Sequence, residues 1–294
     1  MKSANDFLLR IFIVLSCFAI FAGSSALAAD GIAFVQTAVF YDDSAALSVR
    51  TSFAAPTTAG NLIVVAASWG DDAAPAPTVR DTAGNTYVLA TNGYDPVDGQ
   101  SLAIFYAPNI RGGSAEVTVS FNVPPGGIEP GGAERYRRLI VAEYSGVAQT
   151  SPVDGTAQHT YTKGCSANGG VSSCPLTADY SVTSGIAQVL VPGSLVFGAT
   201  MNSSGFPTET SAGAGFTARA YTGEDDFIYG EDLFIQDQVV SSTGPIASTE
   251  TFEMANNYLA QMVIFRPAAS VTAPPPSPTP TPVRPCRRSC PRVP

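Results

Sequence analysis

The sequence is poor in the residues from which many active sites are built. It contains one histidine, His159, and one tryptophan, Trp69, and only 13% of its 294 residues are charged. A zinc site of the common Cys/His type needs several such ligands at short spacing, and the chain offers neither a C-x₂-C pair nor a second histidine. No Gly-x-Ser-x-Gly motif accompanies the histidine. The composition therefore gives little support to zinc chemistry or to a Ser-His-Asp triad.

Basic residues are scarce as well. The chain has 15 Lys and Arg against 24 Asp and Glu, a formal net charge of −9. Residues 1–28 contain two basic residues and one acidic residue, and residues 270–294 contain four arginines. The segment between them therefore has nine basic and 23 acidic residues, a net charge of −14. Such a surface repels phosphate groups, which argues against nucleic acid and anionic membranes as partners. It is compatible with cations or polar neutral ligands.

Long apolar runs are missing except at the N-terminus. Residues 1–28 combine the basic Lys2 and Arg10 with a short apolar core, and they end in the small-residue sequence Ala26-Leu27-Ala28. These features are typical of a cleaved signal peptide. We expect a secreted, extracellular or cell-surface protein that begins near Ala29 and has no transmembrane segment in its mature chain.

Short strands are the main signal in the body of the chain. In Glu116–Phe121 apolar and polar residues alternate, whereas Asn61–Ser68 is apolar on both faces and is expected in the middle of a sheet. The pattern predicts strands at Ile32–Phe40, Ala46–Phe53, Asn61–Ser68, Thr86–Ala90, Ser101–Tyr106, Glu116–Phe121, Arg138–Tyr144, Gly155–Tyr161, Asp179–Thr183, Ser194–Thr200, Phe216–Tyr221, Leu233–Val240, Ile246–Glu253 and Leu259–Phe265. Without a convincing helix, this predicts an all-β domain over residues 29–269, an antiparallel two-sheet sandwich that is jelly-roll-like.

Gly- and Pro-rich segments separate the strands and end the domain. Loops are predicted at Ala55–Thr58, Asp71–Pro77, Asn92–Gly99 and Val123–Gly132. Residues 270–294 form a Pro-rich tail that we expect to be disordered, an envelope tether, or the remnant of a lost module. In an exported chain the economical pairing of the four remaining cysteines is local, Cys165–Cys174 and Cys286–Cys290.

Glu143 is the one candidate catalytic carboxylate. It lies in a strand dense in apolar residues, and a glutamate is rarely buried without a partner. Glycoside hydrolysis needs two carboxylates across a cleft, and the sequence suggests no second one. The alternative is a strand-end residue bonded to a loop, so catalysis stays an open question.

Ligand-binding candidates cluster at strand ends. Aromatic rings beside polar groups can stack on sugars, which points to Trp69, Asp71, Asp72, Tyr94 and Tyr144. Calcium prefers carboxylate oxygens, and acidic loops make a structural calcium ion the most plausible metal for this chain, although we expect no obligatory cofactor. The residues of those loops are Asp95, Asp98, Asp225 and Asp226.

Several turn-and-strand motifs carry a resemblance. They are Thr57–Asp71, Val79–Tyr87, Ser101–Gly113, Ala142–Val147 and Gln261–Arg266. Together they resemble uncharacterised secreted β-sandwich domains of environmental bacteria, which often occur near immunoglobulin-like or fibronectin-like modules in surface proteins. The resemblance implies a fold and an extracellular setting, and it supplies no catalytic residues.

The function expected from these features is non-catalytic binding outside the cell, with polysaccharide or envelope material as the partner. Two alternatives remain. One is an enzyme that acts on polysaccharide as a hydrolase or lyase with Glu143 as a carboxylate, and the other is a purely structural surface or adhesion module.

Overall fold

The fold is described from a computed structural model of the chain. The structure describes residues 31–44, 46–70, 75–121, 135–162, 181–202, 210–223, 232–252 and 257–269. Several sequence predictions lie outside these ranges: the signal peptide, most of the 71–77 loop, the 123–132 loop, the tail and all four cysteines of the predicted disulfides. No helix in the described part of the chain is long and apolar enough to cross a membrane.

All regular structure in these ranges is β. The strands are β1 Ala33–Asp42, β2 Ser48–Ser52, β3 Leu62–Gly70, β4 Thr78–Asp81, β5 Val88–Asp95, β6 Gln100–Ala107, β7 Glu116–Ser120, β8 Arg135–Ser145, β9 Val153–Tyr161, β10 Ser181–Thr183, β11 Ala187–Val189, β12 Ser194–Asn202, β13 Thr210–Ala212, β14 Thr217–Tyr221, β15 Leu233–Val240, β16 Gly244–Ile246, β17 Thr249–Phe252 and β18 Tyr258–Phe265. Every pairing is antiparallel, so the predicted class is confirmed.

Two halves of the chain share one topology. In the N-terminal half, β1 to β8, a five-stranded sheet has the order β1-β8-β3-β6-β5 and a three-stranded sheet has the order β2-β7-β4. In the C-terminal half, β9 to β18, the corresponding orders are β9-β18-β12-β15-β14 and β10-β17-β13, with β11-β16 as an additional pair. Even a bulge recurs, between Leu89 and Thr91 in β5 and between Ala218 and Ala220 in β14. The described strands therefore repeat one topology in the two halves.

The sheets stack in four layers. Strand residues alternate between the two faces of a sheet, so each five-stranded sheet contributes to two cores. Leu62, Val64 and their counterparts Leu195 and Phe197 belong to the central core, where the two five-stranded sheets face each other. In the N-terminal half, Ile63 and its neighbours pack beneath the three-stranded sheet. The single two-sheet sandwich expected from the sequence is thus replaced by five sheets.

The predicted strands all overlap observed ones, with boundary differences that have physical reasons. β5 continues through the predicted Asn92–Gly99 loop as far as Asp95, because Tyr94 and Asp95 still pair with Ser101 and Gln100. The short strands β4, β11 and β13 are absent from the prediction, since three or four residues carry too little alternation to stand out. The predicted strand Ile246–Glu253 corresponds to two observed strands, the end of β16 and β17.

Candidate functional site

A stack of aromatic rings lies in the C-terminal half, where β9 ends next to the beginning of β18. Tyr161 is the cross-strand partner of Tyr258, and their rings are 5.5 Å apart with only 14° between their planes. His159, two residues earlier on β9, has its ring 5.8 Å from that of Tyr258. Directly opposed residues in antiparallel strands bring their side chains together, so the pairing register itself builds the stack. We call His159, Tyr161 and Tyr258 the ring platform.

The ring platform is supported from beneath. Tyr258 is buried, Tyr161 is half-buried and His159 is exposed, so solvent exposure increases from the innermost ring to the outermost. Phe252 of β17 packs edge-on against Tyr258, with centroids 6.0 Å apart and an interplanar angle of 84°. The backbone N–H of Thr183 in β10 donates to the Tyr258 hydroxyl at 3.4 Å. The outer three-stranded sheet therefore fixes the innermost ring.

Polar groups from the other half lie next to this site. Asn257, which directly precedes Tyr258, donates from Nδ2 to Oδ2 of Asp98 at 2.6 Å. Asp98 belongs to the turn between β5 and β6, and Asp95 fixes that turn by accepting the Val97 N–H at 2.9 Å. Asn257 is completely buried, and successive residues of a strand point to opposite faces of a sheet. This contact therefore ties the β5–β6 turn to the start of β18 and does not line the ring faces.

Two of the four predicted metal ligands lie in the described part of the structure. Asp95 is buried and Asp98 is half-buried, whereas Asp225 and Asp226 lie outside the described residues. Within the described ranges, no three His, Cys, Asp or Glu side chains are grouped so that they could hold an ion. The observed hydrogen bonds give Asp95 and Asp98 roles in holding the β5–β6 turn.

Trp69 lies in the core of the N-terminal half rather than on a surface. It is 1% exposed and its ring lies 5.7 Å from that of Phe121, tilted by 51°. A sugar platform needs an accessible ring face, which this tryptophan lacks. Its sequence neighbours Asp71 and Asp72 lie outside the described residues, and Tyr94 is half-buried near the end of β5.

Tyr144 is part of a polar network between the two halves. Its hydroxyl donates to Oδ2 of Asp237 at 2.8 Å, and Arg219 donates to both oxygens of Asp237 at 2.7 and 2.9 Å. The Arg219 guanidinium also lies 4.4 Å from the centre of the Phe34 ring. Burial, reinforced by the Asp237 charge, raises the pKa of Tyr144 well above its ordinary value. Hydrogen bonding to Asp237 raises the pKa of Arg219, so both groups keep their protons.

Glu143 is fully buried and holds the 55–61 loop in place. Its Oε1 accepts the Thr58 N–H at 2.8 Å and Nδ2 of Asn61 at 2.7 Å, and its Oε2 accepts Nε2 of Gln36 at 2.6 Å. Gln36 in turn binds the backbone of Ala55. Three donors on one carboxylate satisfy a charge that would otherwise be costly to bury.

The N-terminal half does not repeat the ring platform. The cross-strand pair in β1 and β8 that corresponds to Tyr161 and Tyr258 is Asp42 and Arg137, joined by an ion pair of 3.0 Å. The sequence places Tyr161 at a strand end, but nothing in it says that Tyr258 is its neighbour. That pairing depends on the register of the sheet. The one sequence signal that could have indicated it is the presence of aromatic residues at the ends of two strands that are candidates for pairing.

Comparison of the chain with protein family models, with curated proteins and with solved structures gives no match in any of the three.

Proposed function

We propose that the protein is a secreted or cell-surface binding module without catalytic activity, and that its ligand is a polysaccharide or similar envelope material. The observation that carries this proposal is the ring platform, an aromatic stack that reaches from buried Tyr258 to exposed His159. Flat ring faces of this kind pack against the C–H faces of sugars.

The state of the carboxylates supports binding over hydrolysis. Glu143, the sequence candidate for catalysis, is occupied by three donors and is completely buried. Asp237 is held by Tyr144 and Arg219. A retaining or inverting glycosidase needs two carboxyl groups facing one open cleft, and these two groups each serve a structural network instead.

The charge and topology fit the same proposal. A body with an excess of acidic residues is suited to neutral sugars more than to anionic polymers.

We also propose that each half is a jelly-roll-like sandwich in its own right. The support is the strand order, in which the first and last strands of each half are neighbours and the second strand pairs with the seventh of the eight equivalent strands.

Binding to a panel of soluble and insoluble polysaccharides tests the function. We expect Tyr161→Ala and His159→Ala each to weaken binding about fivefold, because each removes a part of the stacking surface that contributes about 1 kcal/mol. Tyr41→Ala is the matched control, since Tyr41 is an exposed tyrosine, 45% accessible, on β1, the counterpart of β9. It should bind like the unmodified protein.

Two results would overturn the proposal. One is binding that depends on Tyr41 as strongly as on Tyr161. The other is sugar release that Glu143→Gln abolishes, which would make the protein an enzyme. Absence of binding to every polysaccharide, with no turnover, would favour the structural surface module.

A further inference from the structure

A buried carboxyl group lies between the sheets of the C-terminal half. Glu250 of β17 is 2% exposed. Its Oε1 accepts Oγ1–H of Thr200 at 2.9 Å and Nε2–H of Gln236 at 3.1 Å. Its Oε2 is also buried and has no hydrogen-bond partner among the described residues. This is the pattern of a neutral acid, with the carbonyl oxygen accepting two bonds and the second oxygen carrying the proton.

The surroundings offer hydroxyls and amides but no compensating charge. The groups packed on Glu250 come from β12, β15 and the segment before β17: Thr200, Gln236 and Ser248, whose hydroxyl is 2.8 Å from the Gln236 amide. Its strand neighbours, Val182 of β10 and Ala212 of β13, carry no charge. Burial raises the pKa of Glu250 to about 8, and the bonds from Thr200 and Gln236 only partly oppose this. No cation among the described side chains contributes to that balance.

The strand that carries Glu250 also supports the ring platform. Phe252, two residues further along β17, packs against Tyr258. Thr183, which donates to the Tyr258 hydroxyl, belongs to β10 and pairs with Thr249 of β17. Movement of β17 away from the five-stranded sheet would therefore remove both supports of the innermost ring.

We propose that Glu250 is a proton-dependent latch, which holds the outer sheet β10-β17-β13 on the five-stranded sheet when its carboxyl group is neutral and releases it when the proton is lost to solvent. The latch is confined to the C-terminal half, because the inward-facing residues of the corresponding strand β7 are Val117 and Val119, both buried and apolar. The inference stands without the proposed function, since the opening can be measured with no ligand present.

The direction of the pH response follows from linkage. In the closed state Glu250 keeps its proton up to about pH 8, whereas in an opened state it would titrate near the ordinary value of 4.5. The open state therefore becomes more stable relative to the closed state as the pH rises between these two values. The opening constant is expected to rise about tenfold per pH unit within this window and to level off above it.

Hydrogen exchange followed by mass spectrometry tests the latch on the full chain. Protection factors, corrected for intrinsic exchange, are measured at pH 5.5, 6.5 and 7.5 for peptides covering β17 and for peptides covering β7. We expect protection in β17 to fall about tenfold per pH unit while that in β7 stays level. In Glu250→Gln, which is neutral at every pH, protection in β17 should be level as well.

The latch would be overturned if protection in β7 falls with pH as much as protection in β17, or if the fall in β17 persists in Glu250→Gln. Unchanged protection in β17 of the unmodified protein would also overturn it. Should Glu250→Gln fail to fold, Thr200→Val serves instead. It removes a bond that lowers the pKa of Glu250, so the pH at which exchange levels off should move upwards; a plateau at an unchanged pH would count against the proposal.

Discussion

The two halves share a strand order but differ in what lies under their three-stranded sheets. In the N-terminal half this core is continuous and apolar, with Ala67, Phe105 and Val117 among its members. In the C-terminal half, Thr200 and Gln236 stand at the positions of Ala67 and Phe105 and bond to Glu250 of β17. The apolar residues of this half form two smaller clusters. Strand pairing thus survives a change from apolar to polar packing, and the proton-dependent latch that we propose depends on the polar set of the C-terminal half.

The contacts between the halves show the same asymmetry. On one side, Tyr144 binds Asp237, which Arg219 also holds. The equivalent positions on the other side are Phe265 and Tyr106, whose rings meet edge-on at 5.6 Å, together with Ala90. One side of the central interface therefore depends on a buried charge and its partners, and the other depends on apolar packing. Three substitutions test the differences between the halves, two at the central interface and one under the three-stranded sheet of the C-terminal half.

Arg219→Ala should have the largest effect. It gives the C-terminal half the alanine found at the equivalent position of the N-terminal half, but it leaves Asp237, 5% exposed, without its cation. We expect the free energy of unfolding to fall by about 3 kcal/mol, measured by urea denaturation. The double variant Arg219→Ala/Asp237→Asn should recover about half of this loss, because no buried charge is then left unpaired. Equal losses in the two proteins would mean that packing on Phe34, rather than charge, explains the effect.

Gly198→Ala should have an intermediate effect. A Cβ at Gly198 of β12 would lie 2.0 Å from Oγ of Ser248 and 2.9 Å from its Cβ, whereas the N-terminal half has Val65 at this position. The polar set requires this close approach, since Ser248 bonds to Gln236. We expect a loss of about 2 kcal/mol in unfolding free energy.

Gly155→Ala in β9 is the control for Gly198→Ala. There an added Cβ would meet its nearest atoms at 3.6 Å, an ordinary contact. This variant should change stability by less than about 0.5 kcal/mol. Similar losses in both glycine variants would show that strand flexibility, and not the approach of Ser248, makes the position sensitive.

The sequence contains most of what specifies the strands but little of what specifies the sites. Alternation in Glu116–Phe121 and the apolar run of Asn61–Ser68 are local signals, and the structure has strands at both places. The repeat can be recognised in the sequence once the sheet order is known. Equivalent central strands begin with Gly60-Asn-Leu-Ile and Gly193-Ser-Leu-Val, and the two glycines have positive φ angles of 88° and 82°. Such short matches are lost among other Gly-turn-strand segments until the sheet order shows that they correspond.

Long-range pairing explains the residues that sequence reasoning placed differently. Trp69 sits beside a Gly-Asp-Asp turn, which indicates a surface, yet Phe121, 52 positions later, helps to bury it. For Glu143, the hydrogen bonds match the alternative of a residue bonded to a loop, since its partners are two side-chain amides and the backbone N–H of Thr58. Only the register of β1, β3 and β8 brings those donors together, and register is not a local property of any one strand.

Tyr144→Phe should have the smallest effect of the three. It makes the residue identical to its counterpart Phe265 and removes one hydrogen bond to Asp237, while both bonds from Arg219 remain. We expect a loss of about 1.5 kcal/mol in unfolding free energy, because the acceptor is a charged group in a buried site. Tyr106→Phe is the matched control on the other side of the interface, where ring packing on Phe265 is the recorded contact, and it should cost less than about 0.5 kcal/mol. A loss in Tyr144→Phe as small as in this control would show that Arg219 alone satisfies Asp237, and the two sides of the interface would then differ by one ion pair rather than by a network.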